Sequence, residues 1–183
     1  MSAIVIHDYD ARWPGEFELV AASLRAALGD LALAVDHIGS TSVPNLAAKD
    51  VIDVQVTVAA LSDAVRDALV AAGFAHRADI TGDHVPAPPA PPADWAKLYF
   101  QQLPGERRAH IHVRVAGAAN QRYALLFRDY LRAHPAAARA YATLKRELAS
   151  RFRDDADAYY DVKDPACDRI WEAAKEWDER GRR

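Results

Sequence analysis

Cysteine is nearly absent from this chain: Cys167 is the single one among 183 residues. One thiol excludes an intrachain disulfide and any zinc site built from several cysteines, and it suits a reducing compartment. An excess of positive charge is missing too. Lys and Arg number 23 against 26 Asp and Glu, a net charge of -3, so the basic field that drives sequence-independent nucleic-acid binding is not there. No window approaches the ~20 consecutive apolar residues of a membrane helix, and the opening MSAIVIHDYD lacks the basic stretch and apolar run of a signal peptide. No internal repeat is found. These absences leave a soluble cytoplasmic protein as the expectation, and 51% hydrophobic residues over this length suffice for a real core.

What is present is patterned. Trp13, Phe17, Val20, Leu24 and Leu28 recur at helical spacing, with Pro14 suited to a first turn and Gly29 to a stop. Residues 4–6, 33–38 and 51–58 read as strands, the last two flanking the small polar loop 39–49. Leu61, Val65, Ala68, Leu69 and Ala72 predict a second helix ended by Gly73. Residues 74–80 are a further strand candidate, whereas the prolines of VPAPPAPPADW exclude a central strand and predict an exposed loop bordering the site. Residues 97–102 and 109–115 flank LPGERR and read as an antiparallel hairpin. From Asn120 onward the pattern is helical, with three apolar faces broken at His134-Pro135 and at RDDAD. The predicted class is α/β, a mixed sheet flanked by helices over residues 1–118, with a helical region over 119–183 packed on it as one compact unit.

Strand alternation sorts the chemistry. Ile52, Val54, Val56 and Val58 share one face of their strand, and Asp53, Gln55 and Thr57 the other. Ala109, Ile111, Val113 and Val115 likewise oppose His110, His112 and Arg114. If the two strands are neighbours, Asp53, Gln55, His110 and His112 line a common cleft. Asp53 then reads as a salt-bridged strand acid or as a metal ligand, and the histidines as a polar face or as contacts to metal or phosphate. The run Gly39-Ser40-Thr41-Ser42 reads as a hydrogen-bonding turn or as a phosphate cradle. In the cradle, Gly39 lets a ligand approach the backbone while N–H groups and the three hydroxyls hold phosphate oxygens. Arg128, Lys145 and Lys163 read by default as solvated helix faces, and Cys167 as core. Arg128 and Lys163, with His37 and Gln55, are also carried as candidate ligand contacts.

Six stretches carry a resemblance: YDARWPGEFE, HIGSTSVPNLAAKDVIDVQV, HIHV, FRDYLRAHP, YATLKRELASRF and YYDVKDPACDRI. Together, in this order and spacing, they resemble the GrpB family over nearly the whole chain. That family is similar to the nucleotidyltransferase superfamily, in which a Gly-Ser opens a loop and an Asp-hydrophobic-Asp/Glu follows on the next strand. The resemblance implies a nucleotidyltransferase-like fold, a nucleoside triphosphate as ligand or substrate, and a divalent metal, Mg or Mn. It puts Gly39 and Ser40 at phosphate, Asp53 at metal and Gln55 at the second acid, and suggests Asp53 and Lys49 as catalytic, with Lys49 neutralising developing charge. Gln55 departs from the pattern, so a standard two-metal site is not expected, and Asp50 has the wrong strand parity to replace the missing acid. His110 and His112 would complete a mixed site with Asp53 that prefers Mn²⁺ or Zn²⁺. GrpB-like domains also occur fused to dephospho-CoA kinase. The alternative the resemblance implies is therefore a non-catalytic module that stabilises or regulates an enzyme of coenzyme A synthesis.

Overall fold

The structure, a computed structural model, describes residues 3–86 and 91–181. Helix α1 (Trp13–Leu28) buries Trp13, Phe17, Val20, Leu24 and Leu28, the spacing expected, and ends at Gly29, whose φ of +50° turns the chain away. Strands β1 (Ala34–Ile38) and β2 (Ile52–Val58) follow. Next comes α2 (Asp63–Ala71), capped by the Ser62 hydroxyl, which accepts the Val65 N–H. Strands β3 (Ala75–His76), β4 (Leu98–Gln101) and β5 (Ala109–Val115) precede three helices, α3 (Ala119–Ala133), α4 (Pro135–Arg151) and α5 (Ala156–Gly181).

The strands form one sheet in the order β1-β2-β5-β4-β3. All neighbours are antiparallel except β2 and β5, which run parallel at its centre. The class is α/β with a mixed sheet, as predicted, and β4 and β5 form the expected hairpin. The apolar sides of β2 and β5, with Ile52, Val54, Val56, Ile111 and Val113 buried, pack on α1 and α2. Each of these side chains stabilises the fold by about 1.5–3 kcal/mol relative to an exposed one. Helix α3 lies against β1, β2 and β5, its N-terminal turn over the polar side of the central strands, and α4 and α5 pack against it. Val43 and Leu46 of the polar loop join Leu131, Tyr141 and Cys167 in a second core, which seats the loop against the C-terminal helices.

Three expectations shift. Residues 4–6 form no strand. Ile4 donates to the Arg153 carbonyl and packs with Leu148 and Tyr159, and only the His7–Ala48 bridge is ladder-like, so the apolar run serves helix packing instead. Of residues 74–80, only Ala75 and His76 pair with β4. Within the proline-rich run, residues 87–90 lie outside the described residues, and Trp95 is buried with its ring 5.7 Å from Tyr123 of α3. That run is anchored at its C-terminal end.

Candidate functional site

The β2–β5 register sets Asp53 beside His110 and Gln55 beside His112. Alternation turns these side chains away from the apolar core. Asp53 Oδ1 lies 3.4 Å from His110 Nδ1 and 3.8 Å from His112 Nε2, and one ligand atom from each of the three falls within 4.8 Å of the others. Burial alone would raise the Asp53 carboxyl, but its contacts with His110 and His112 outweigh it and hold the group well below the usual carboxylate range. Burial pushes His112 down to about 4 and the charge of Arg114 adds to the effect, leaving the ring neutral near pH 7.

The glycine turn closes on this acid. Gly39 has φ +67° and ψ -173°, and a Cβ built on it would meet Asp53 Oδ2 at 2.4 Å. Only glycine lets the loop backbone come so near the carboxylate. The Ser42 hydroxyl donates to the Gly39 carbonyl at 2.6 Å, and Thr41 donates to the Val51 carbonyl at 3.3 Å while touching His37 Nε2 at 3.0 Å. Ser40 is engaged differently: its Oγ accepts from Lys145 Nζ, on α4, at 2.7 Å.

A cavity of about 480 Å³ opens over Asp53, His110 and His112. Gly39, Ser40 and Thr41 line it on the loop side; Lys49, Lys145 and Lys163 bring cations, and Tyr99, Tyr123, Phe127 and Tyr141 bring rings. Lys49 donates to the Tyr160 hydroxyl at 2.6 Å. The reading of Arg128, Lys145 and Lys163 as solvated helix faces is overturned. Lys145 is 3% exposed, Lys163 faces the cavity, and Arg128 donates to the His37 carbonyl at 3.0 Å and pairs with Asp36 and Asp129. The helices turn them inward because α3, α4 and α5 pack on the loop and sheet.

His37, Ser42, Gln55 and Arg128 do not line the cavity. His37 is buried with its ring stacked 4.7 Å from Phe17, and burial pushes it down to about 4. Gln55 is wholly buried under α3. Its Oε1 accepts from Arg114 at 2.7 Å and its amide donates to the Gln121 carbonyl at 3.3 Å, so the residue at the second-acid position is closed to a ligand. The acid that approaches the site instead is Asp83, between β3 and β4, whose Oδ1 is 3.8 Å from His112 Nδ1. Lys97 donates to it at 2.6 Å, Arg114 at 2.9 Å and Asn120 at 3.0 Å. Burial works against its charge, yet Arg114 and Lys97 hold the carboxyl low. Sequence reasoning missed Asp83, Lys97 and Tyr99. Alternation along β4 carried a signal for the last two, since Tyr99 pairs with His112 and Lys97 is two residues before it.

The GrpB protein family model matches residues 3–173. The crystal structure of the conserved protein GrpB from Enterococcus faecalis overlays with a TM-score of 0.78 at 32% identity, covering 94% of this chain and 99% of that one. A dephospho-CoA kinase of Mycolicibacterium paratuberculosis is 38% identical over 92% of the chain, and the UPF0157 protein YqkA of Bacillus subtilis is 33% identical over 92%. The chain spans 45% and 46% of these two proteins, a little under half of each. The matched residues take in the strands that bear Asp53, His110 and His112 together with the helices that bear Lys145 and Lys163, and on that extent the chain belongs to the GrpB family.

Proposed function

We propose that the cavity binds a nucleotide or similar phosphorylated small molecule together with a divalent ion, and that its chemistry is metal-dependent nucleotidyl transfer. The observation that carries this reading is the convergence of Asp53, His110 and His112 within 4.8 Å, beside a turn that only glycine can make. The donor set fits a cation. Asp53 is held ionised, His112 is neutral, and one oxygen with two nitrogens suits Mn²⁺ or Zn²⁺ better than Mg²⁺. Behind His112, Lys97 Nζ and Arg114 Nη2 each stand 3.3 Å from Nδ1, donors that fix the orientation of the ring and are themselves held by Asp83. A divalent ion, when bound, supplies charge stabilisation for attack at a phosphorus. The chain's own residues do the rest: Ser40 and the turn backbone hold phosphate oxygens, Lys49 and Lys163 offset negative charge, and Tyr123 with Phe127 offers an apolar wall for a base.

Calorimetric titration of Mn²⁺ and a non-hydrolysable nucleoside triphosphate tests this in the parent, Asp53→Asn and His110→Ala/His112→Ala proteins. Both variants are expected to lose at least about tenfold in metal-dependent affinity, about 1.4 kcal/mol. Equal heats in all three proteins would sink the reading. The sealed Gln55 favours a second one, in which the fold is kept without turnover and serves as a module acting on an enzyme of coenzyme A synthesis. Relatives named dephospho-CoA kinase, of whose length the chain spans 45%, support that direction. Ligand binding without nucleotide turnover, together with a changed rate of dephospho-CoA kinase on adding the protein, would decide for the module.

A further inference from the structure

Lys145 is a buried cation of an unusual kind. Lys97, the other buried lysine, has Asp83 at 2.6 Å, whereas no carboxylate lies within salt-bridge distance of Lys145 among the described residues. Its Nζ donates to Ser40 Oγ at 2.7 Å and to the Ala47 carbonyl at 2.5 Å, and it sits 4.6 Å from the centre of the Tyr141 ring. An ammonium needs three acceptors, and two are identified here. The charged and titratable groups that act on it are Lys163 and Cys167 from α5, Lys49 from the loop and Asp53 from β2, besides Tyr141 on its own helix. Two of these are further cations. A buried charge without a counterion is costly, and the structure relieves it in one of two ways: the amine gives up its proton, or an anion arrives.

We propose that Lys145 is an anion-binding residue of the cavity that takes up a proton as the phosphate of the ligand arrives, making ligand binding proton-coupled. The inference rests on the reading of the cavity as a phosphate site. In the free protein burial pushes the ammonium down to about 7, with the charge of Lys163 acting in the same direction, so the amine is neutral above neutrality. A phosphate oxygen set beside Ser40 supplies the missing counterion and acceptor and restores the ammonium, the proton coming from solvent. Binding is then tightest below about pH 7 and weakens by up to about tenfold per pH unit above it.

Calorimetry at pH 8 in two buffers of different ionisation enthalpy, with a non-hydrolysable nucleoside triphosphate and Mn²⁺, counts the protons. At this pH the phosphates of the probe are ionised and do not contribute. The parent should take up roughly 0.9 proton per ligand. Lys145→Arg, whose charge is fixed, should bind with almost no uptake and with an affinity nearly flat between pH 7 and 9. Lys145→Met should bind at least about tenfold more weakly at pH 7, and if it does not fold, the parent and the arginine variant decide alone. Equal proton uptake and equal pH slopes in parent and Lys145→Arg would overturn the proposal while leaving the phosphate site intact. Absence of binding to the parent would overturn the phosphate site and this inference with it.

Discussion

Replacing Gly39 with alanine measures how tightly the turn is set against Asp53. Two costs add. The backbone stands at φ +67° and ψ -173°, a region in which a residue with a Cβ is strained by about 1–3 kcal/mol. The new methyl would also meet Asp53 Oδ2 at 2.4 Å and its Cβ at 2.8 Å. The carboxylate can rotate, but the Cβ is fixed by the backbone of a central strand, so overpacking adds about 1–3 kcal/mol. The sum is about 4 kcal/mol, roughly 8–16 °C in melting temperature for a chain of this size. Gly29→Ala is the control, since Gly29 has φ +50° with nothing within 4 Å of the added Cβ. It bears the strain without the clash and should lose about half as much. Scanning calorimetry on the three proteins gives the comparison. A Gly39→Ala protein melting within about 2 °C of the parent, or no lower than Gly29→Ala, would refute the argument that steric contact with Asp53 reserves this position for glycine.

Asp83→Ala removes the carboxylate shared by the buried Lys97 and Arg114, so unfolding in guanidinium at pH 7 should show a loss of about 3–5 kcal/mol; a loss under about 1 kcal/mol would show that the cluster does not need its counterion. His37 gives a pH dependence: its folded-state value is about 4 against 6.5 when free, so the unfolded chain binds a proton through this window and the folded chain does not. Stability is therefore full above about pH 6.5 and falls as pH drops towards 4, by an order of 3 kcal/mol from this residue. In His37→Gln the melting temperature should fall less steeply over that range, and identical pH profiles would contradict the assignment.

How far the sequence was legible follows from which groups obey a local period. Strand alternation alone put Asp53, His110 and His112 on polar faces, because both strands keep strict apolar sides for the core. It could not show that β2 and β5 are parallel neighbours, since that pairing joins segments some fifty residues apart and is decided by packing between them. The period also carried information that charge obscured. Lys145 lies four residues after Tyr141 and three before Leu148, and all three are buried on the inward side of α4. Lys163 stands likewise between Tyr159 and Cys167. A lysine inside an apolar stripe is better read as buried than as solvated. Asp83 had no such period, because it sits in an irregular run and its role depends on Lys97 and Arg114 reaching it from β5 and the approach to β4.

The glutamine at the second-acid position makes sense once Arg114 is taken with it. Arg114 extends from the β5 position paired with Thr57, donates to Gln55 Oε1 at 2.7 Å and to Asp83 at 2.9 Å, and is itself buried. A carboxylate at 55 would add a further buried acid beside Asp83 and lose the amide's bond to the Gln121 carbonyl, so the neutral amide preserves a cluster in which Asp83 is matched to Lys97 and Arg114. That balance has a consequence for the proposed ligand. With one acid and two imidazole rings as donors, the site offers a divalent ion little negative charge, while Lys49, Lys145 and Lys163 make the opposite wall receptive to an anion. The ion and the phosphates each supply the countercharge that the other lacks, so on this reading they bind as a pair, and either alone binds weakly.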